Sequence, residues 1–150
     1  MKNTTTLILL LVFSISIISC NNRDCPGEHE ISGIIINSLD LCPPESSQDQ
    51  FMISDSSTYK DLYTDQSSGE LNCELPAIDF STTSLLGLLA TGKCSVIYQR
   101  NVTRNEADKN YNFTVTVKDC GNCKSLGISY NWVTVPAIPE GWTVSYDVID

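Results

Sequence analysis

The sequence predicts a mainly β, β-rich α+β chain: an antiparallel meander or sandwich-like domain stapled by disulfides, with one short helix near residues 57–64. Three observations predict it. Four runs in the C-terminal half alternate apolar and polar residues with period two, the pattern of strands that bury one face. The gaps between them, RNEADKN, DCGNCKSLG and PAIPEG, are short and turn-like, and leave no helix for parallel crossovers. Seven cysteines in 150 residues follow a leader-like N-terminus, as in an exported, disulfide-bonded chain.

The four runs are SVIYQRNVT (95–103), YNFTVTVK (111–118), ISYNWVTV (128–135) and WTVSYDV (142–148). In the first, Val96, Tyr98 and Val102 share a side. The second sets Tyr111, Phe113, Val115 and Val117 against Asn112, Thr114, Thr116 and Lys118. The third sets Ile128, Tyr130 and Trp132 against Ser129 and Asn131, and the fourth sets Trp142, Val144, Tyr146 and Val148 against Thr143, Ser145 and Asp147. β-Branched and aromatic residues dominate the apolar sides, as strands favour. Together they predict a four-stranded antiparallel meander. Upstream, GIIINSLDL (33–41) predicts a first strand closed by Cys42-Pro43-Pro44, and QFMIS (50–54) a second. Asp55-Ser56-Ser57 offers N-cap oxygens to a helix whose Tyr59, Leu62 and Tyr63 fall on one face. STTSLLGLLATG (81–92) fits a capped helix and a buried strand broken at Gly87 equally well.

The chain opens MKNTTTLILLLVFSISIISC. Lys2 precedes an apolar and small-hydroxyl run from Leu7 to Ile18, short of the ~20 residues that span a bilayer but suited to a signal-peptide core. Ile17-Ile18-Ser19-Cys20 resembles the lipobox of bacterial lipoproteins, which implies cleavage before Cys20 and a diacylglycerol on its sulfur. Two acyl chains suffice for stable attachment. The expected organisation is a signal peptide over 1–19, a lipidated tether over 20–30 and a single β-rich domain over 31–150. The expected place is the bacterial cell envelope, on the outer membrane, with the domain in the periplasm or at the cell surface.

Processing would remove one of nine basic residues and leave eight against 18 acidic ones. That sign opposes nucleic-acid binding and suits solubility. With Cys20 lipidated, six cysteines remain as disulfide candidates: Cys25, Cys42, Cys73, Cys94, Cys120 and Cys123. CGNC (120–123) raises a thioredoxin-like alternative, but no helical pattern follows it to stabilise a thiolate, and Gly121-Asn122 suits a turn. A zinc site built on Cys73, Cys94, Cys120 and Cys123 has only one short ligand pair. Disulfides are therefore expected, with Cys25–Cys42 closing the tether, Cys94 joined to Cys120 or Cys123, and Cys73 to the other.

No catalytic set emerges. His29 is the only histidine and falls in the tether, so a Ser–His–Asp arrangement lacks its base. Asp79, the one acid in an apolar context, is expected to cap a turn. No calcium-loop spacing occurs, and neither a metal nor a cofactor is implied. Asn101-Val-Thr103 and Asn112-Phe-Thr114 match glycosylation sequons but read as polar strand faces. VPAIPEGW presents Ile138 between prolines before Trp142, either a partner contact or a connection packed on its own domain.

LPAIDFSTTSLLGLLATGKCSVIY, YNFTVTVKDCGNC and NWVTVPAIPEGWTVSYDV resemble small Bacteroidetes-type lipoproteins of unknown function. More distantly, they are similar to the PrcB-type C-terminal domain of bacterial protease-complex lipoproteins. The resemblance spans roughly Leu75 to Val148. It implies a compact β-rich domain, a strand over 84–90, an accessory role toward an envelope protease and no catalytic residues. Thr91-Gly92-Lys93-Cys94 departs from the Gly-Gly turn of those domains and marks a separate branch. The expectation is a non-enzymatic, lipid-anchored module that binds an envelope protein. A self-assembling surface component and a hydrolase with an acidic site are the alternatives.

Overall fold

A computed structural model of the protein describes residues 25, 27–44, 46–63, 75–121 and 125–150. The expected signal peptide, Cys20, Cys73 and Cys123 lie outside the described residues.

The architecture is β-rich with one short helix, and its centre is a single long ribbon. β5 (Ser95–Asn105) and β6 (Asn110–Cys120) pair antiparallel from Ser95↔Cys120 to Asn105↔Asn110. β4 (Thr83–Lys93) and β7 (Leu126–Pro136) pair antiparallel from Thr83↔Pro136 to Lys93↔Leu126. Cys94 alone separates β4 from β5, so the four strands form a two-stranded ribbon folded back on itself. Its halves become the inner strands of two sheets. One has the order β1 (Ile31–Gly33), β5, β6, β8 (Thr143–Ile149); the other has β2 (Asn37–Leu39), β7, β4, β3 (Gln50–Ile53).

The mainly β, sandwich-like class matches the expectation, while strand neighbours differ from a simple meander. Only 95–103 and 111–118 form the expected hairpin. The 128–135 run pairs with β4 across the fold, and β8 returns beside β6 in parallel. Period two reports which face a residue occupies and carries nothing about which strand lies alongside. The expected strand over 33–41 is two strands, one at each sheet's edge. Gly33 takes φ +77°, a conformation open chiefly to glycine. Ile34 N then donates to Val102 O (2.9 Å) in one sheet and Ile36 N to Thr134 O (2.8 Å) in the other. Residues 83–93 are strand, unbroken at Gly87.

β4 resolves as strand because both its faces are buried, which is why its apolar run shows no alternation. Leu86 and Leu88 face the inter-sheet core with Val102, Phe113, Val115 and Val133. Leu85 faces outward, into a second cluster with Phe51, Ile53, Tyr59, Tyr63 and Trp132. Full burial of each large aliphatic side chain is worth about 1.5–3 kcal/mol. Trp132, 0% exposed, lies flat against Gly87, where a Cβ would overlap its ring. The second cluster is covered by α1 (Ser56–Asp61), shorter than expected. Asp55 caps it, accepting from Ser57 N (3.0 Å) and Thr58 N (2.9 Å). Hydrogen bonds from the Ser57 hydroxyl and from Thr58 hold that carboxyl down at about 2. Asp79 likewise closes a turn, its carboxylate accepting from Ser81 N (3.0 Å) and Ser81 Oγ (2.6 Å).

The last residues of the expected tether lie on the sheet. Arg100 N donates to Glu30 O (2.8 Å), Tyr98 N to His29 Nδ1 (3.1 Å), and the His29 ring stacks on Tyr98 at 6.1 Å. This course beside β5 brings Cys25 to the ribbon's fold, where it is disulfide-bonded to Cys120 with Cα atoms 5.2 Å apart. The expected Cys25–Cys42 bond is thereby replaced, and so is Cys94–Cys120. Cys94 forms an isolated bridge with Cys120 at backbone level, and Cys42 and Cys94 are both disulfide-bonded.

The Cys25–Cys120 bond closes a chain separation of 95 residues. Replacing both cysteines by serine is expected to cost about 2–4 kcal/mol, read as a lower urea midpoint. Amide exchange at Tyr98 and Arg100 is expected to accelerate first, because their edge partners lose their anchor.

Candidate functional site

β7 has eleven residues, but β2 beside it has only three. β2 pairs with β7 over Trp132–Thr134 and then leaves. It leaves because Cys42 is buried in the second cluster and Pro43-Pro44 has no N–H to continue a ladder. Thr134 O points toward β2, since it accepts from Ile36 N. Backbone groups in an antiparallel strand alternate sides. Trp132, Tyr130 and Ile128 therefore present their N–H and C=O groups in the same direction. Trp132 meets Leu39. Tyr130 and Ile128 meet no strand among the described residues.

An open cleft of about 380 Å³ lies there, lined by Asp40, Leu41, Pro43, Ile128, Ser129 and Tyr130. It falls within the size range of small ligand sites. Tyr130 is held rigidly: its ring stacks on Trp132 at 6.1 Å and meets Phe51 edge-on at 5.9 Å. Its hydroxyl donates toward Ser46 O and Gln48 O, each at 3.4 Å. Ile128 is 70% exposed and Leu126, one step along the same face, 68%. Among the described residues, the site thus offers backbone groups with no strand partner, an aliphatic and aromatic floor, and one carboxylate on the rim.

A buried cation sits between the sheets near this edge. Arg100 on β5 is 9% exposed, and its Nε donates to Asn131 Oδ1 at 3.0 Å. Asn131, 0% exposed, donates in turn to Ser129 O (3.3 Å) and Leu88 O (3.4 Å). Burial pushes Arg100 below the ordinary guanidinium value, and the Asp40 carboxylate pulls it back up. Asp40 at the rim and Arg100 behind it are therefore electrostatically linked.

The residues singled out from sequence lie elsewhere. Ile138 is half-buried against the inter-sheet core, and its N–H donates to Ser84 Oγ at 3.0 Å. Trp142 packs edge-on against Tyr111 at 5.6 Å, with the Arg104 guanidinium 4.7 Å from its ring centre. Both pack against their own sandwich. Cys25 and Cys120 meet in a disulfide at the fold of the ribbon. Arg100 and Asn131 were missed. Arg100 continues the 96, 98, 102 series on the inward side of β5, and that spacing was the available signal. Among the described residues no group of three or more His, Cys, Asp or Glu side chains could hold a metal ion. No protein-family model, curated protein or solved structure matches the chain.

Asn131→Leu leaves the Arg100 guanidinium buried without its acceptor. It is expected to cost about 2–3 kcal/mol in urea unfolding. Adding Arg100→Met is expected to restore most of that loss, a positive coupling in a double-mutant cycle. Additive losses would show that the two side chains act independently.

Proposed function

We propose that the protein is a lipid-anchored binding module of the bacterial envelope that holds an extended segment of another envelope protein along the free edge of β7. The observation that carries this is the stretch of β7 beside the cleft that has no strand partner among the described residues. Two residues there, Ile128 and Tyr130, present backbone donors and acceptors in register with an apolar floor. Added strands bind in this way: main-chain hydrogen bonds supply affinity and pockets for alternate side chains supply selectivity. The wall formed by Asp40, Leu41 and Pro43 leaves a slot suited to one strand rather than to the body of a folded protein. Asp40 on the rim favours a segment with a cationic or donor group there.

The disulfide-bonded frame supports an extracytoplasmic site of action. The lipobox-like Ile17-Ile18-Ser19-Cys20 supports anchoring, and the resemblance to protease-complex lipoproteins favours an envelope protease as the partner. The role is accessory rather than catalytic: the cleft supplies contacts for holding a chain, and Asp40 is the one carboxylate lining it among the described residues.

Cys20→Ala is expected to move the protein from the membrane to the soluble fraction, and unchanged membrane retention would contradict the anchor. For the site, a photo-crosslinking residue at Leu126 is expected to capture one discrete partner in cells. Ile128→Pro removes a donor that faces the open edge and leaves the β4 ladder intact, as edge positions tolerate. It is expected to reduce capture about tenfold, the effect of one hydrogen bond of ~1.4 kcal/mol. Capture insensitive to the proline would overturn the proposed docking mode.

A further inference from the structure

β8 is a second exposed edge, of a different kind. It pairs in parallel with β6 over all seven residues, Asn110↔Thr143 through Thr116↔Ile149. Thr143 N donates to Lys109 O at 3.0 Å, so the backbone groups of Thr143, Ser145, Asp147 and Ile149 point toward β6. Val144, Tyr146 and Val148 consequently point theirs away from the sheet. None of these three has a backbone partner on that side among the described residues. Edge strands in stable proteins are commonly shortened, bulged, covered, or guarded by Lys or Pro. The β5 edge is covered by Cys25 and residues 27–34. β8, TVSYDVI, is long and regular and carries neither Lys nor Pro.

We propose that β8 pairs with β8 of a second copy of this chain, antiparallel about a two-fold axis at Tyr146, so that two four-stranded sheets become one of eight strands. The strand's own register selects this occupant. With the axis at Tyr146, the midpoint of β8, residue 146 faces 146 of the second copy, 144 faces 148, and 148 faces 144. All three outward-pointing residues then exchange paired hydrogen bonds. On the outer face, Ser145 lies opposite Asp147 of the second copy, and Thr143 opposite Ile149. Centring the axis on Asp147 instead would set two carboxylates face to face, which is unfavourable between strands, and would lose one pair. Any other centre leaves outward groups unpaired at the ends.

Burial points the same way. Val148 and Ile149 are 44% and 51% exposed, and Met52, on the β3 edge beneath, is 48% exposed. β3 and β8 lie on the same side of the sandwich, because Tyr146 Oη donates to Phe51 O at 2.7 Å. Pairing two β8 strands sets Val148 of each copy against Val144 of the other on the inner face, on the side of Met52, and Ile149 against Thr143 on the outer face. A two-fold contact of this kind is isologous and closes at the dimer. It leaves the β7 cleft of each copy open, on the opposite edge of the sandwich.

The register is tested by crosslinking in the full-length protein. Ser145 and Asp147 of the second copy form a non-hydrogen-bonded pair, with Cα atoms ~4.5 Å apart, within disulfide reach. The doubly substituted Ser145→Cys, Asp147→Cys protein is expected to run at twice the chain mass on a non-reducing gel. Ser145→Cys and Asp147→Cys alone are expected to run as single chains. No dimer from the double variant, a dimer from Asp147→Cys alone, or an adduct of any mass other than twice the chain would each overturn the proposal. A second measurement needs no new cysteine. In the full chain carrying Cys20→Ala, sedimentation is expected to show a concentration-dependent dimer. Ser145→Lys should tighten it and Ser145→Asp weaken it, each about threefold, with both effects reduced at 1 M salt. A monomer at every concentration, or equal effects of the two substitutions, would contradict the pairing.

Discussion

Everything in the sandwich hangs on the corner at which one ribbon becomes two sheets. At Cys94 the backbone takes φ +65°, a region L-residues seldom occupy, and a single residue carries the chain from β4 into β5. Lys93 N is capped by the Asp119 carboxylate at 2.8 Å, and Cys94 N donates to Ser125 O at 3.0 Å. Cys25 closes the corner from outside through Cys120. A left-handed residue in mid-ribbon is unfavourable alone, and such strain persists where the surrounding structure over-determines it. Here two covalent bonds, at Cys94 and at Cys120, and a capped amide do so.

The rest follows from how the folded ribbon's edges are closed. Folding protects the inner faces at once, since β4 and β7 lie over β6 and β5. It also creates four outer edges, which fall to β1, β2, β3 and β8. These have three, three, four and seven residues, against ribbon strands of eleven. β1 is helped by Cys25 and residues 27–30, which extend its cover along β5. β2 has no such help, because Cys42 and the prolines turn the chain away, and the cleft at Ile128 and Tyr130 is the uncovered remainder. β8 covers β6 from Asn110 to Thr116 and becomes an edge itself. The proposed strand-binding slot and the proposed dimer seam are thus both products of unequal edge lengths.

Much of this was legible in the residues. β5, β6, β7 and β8 fall within a few positions of the alternating runs, and the helix within a few of its capped stretch, because those signals are local. β4 was ambiguous for a physical reason: a strand buried on both faces loses its period. The same double burial misassigned Asn131. With Trp132 covered by α1 and its loops, both faces of β7 are interior, and alternation no longer separates core from solvent. Partner choice left no trace in the pattern either. Parallel pairing of β8 with β6, and of β1 with β5, depends on where long connections return. The cleft was illegible because it is an absence of pairing, set by where β2 ends. Cysteine count and spacing indicated disulfides but not their connectivity, which depends on a parallel course of the segment before β2 along β5 that no local signal announces.

The corner is tested most directly by peptide mapping under non-reducing conditions. Digestion of the folded, oxidised protein should release Cys25 covalently joined to the peptide containing Cys120, and reduction should separate them. Recovery of Cys25 joined to a peptide containing Cys42, or as a free thiol, would contradict the folded-ribbon arrangement and the cover that the N-terminal segment gives to β5.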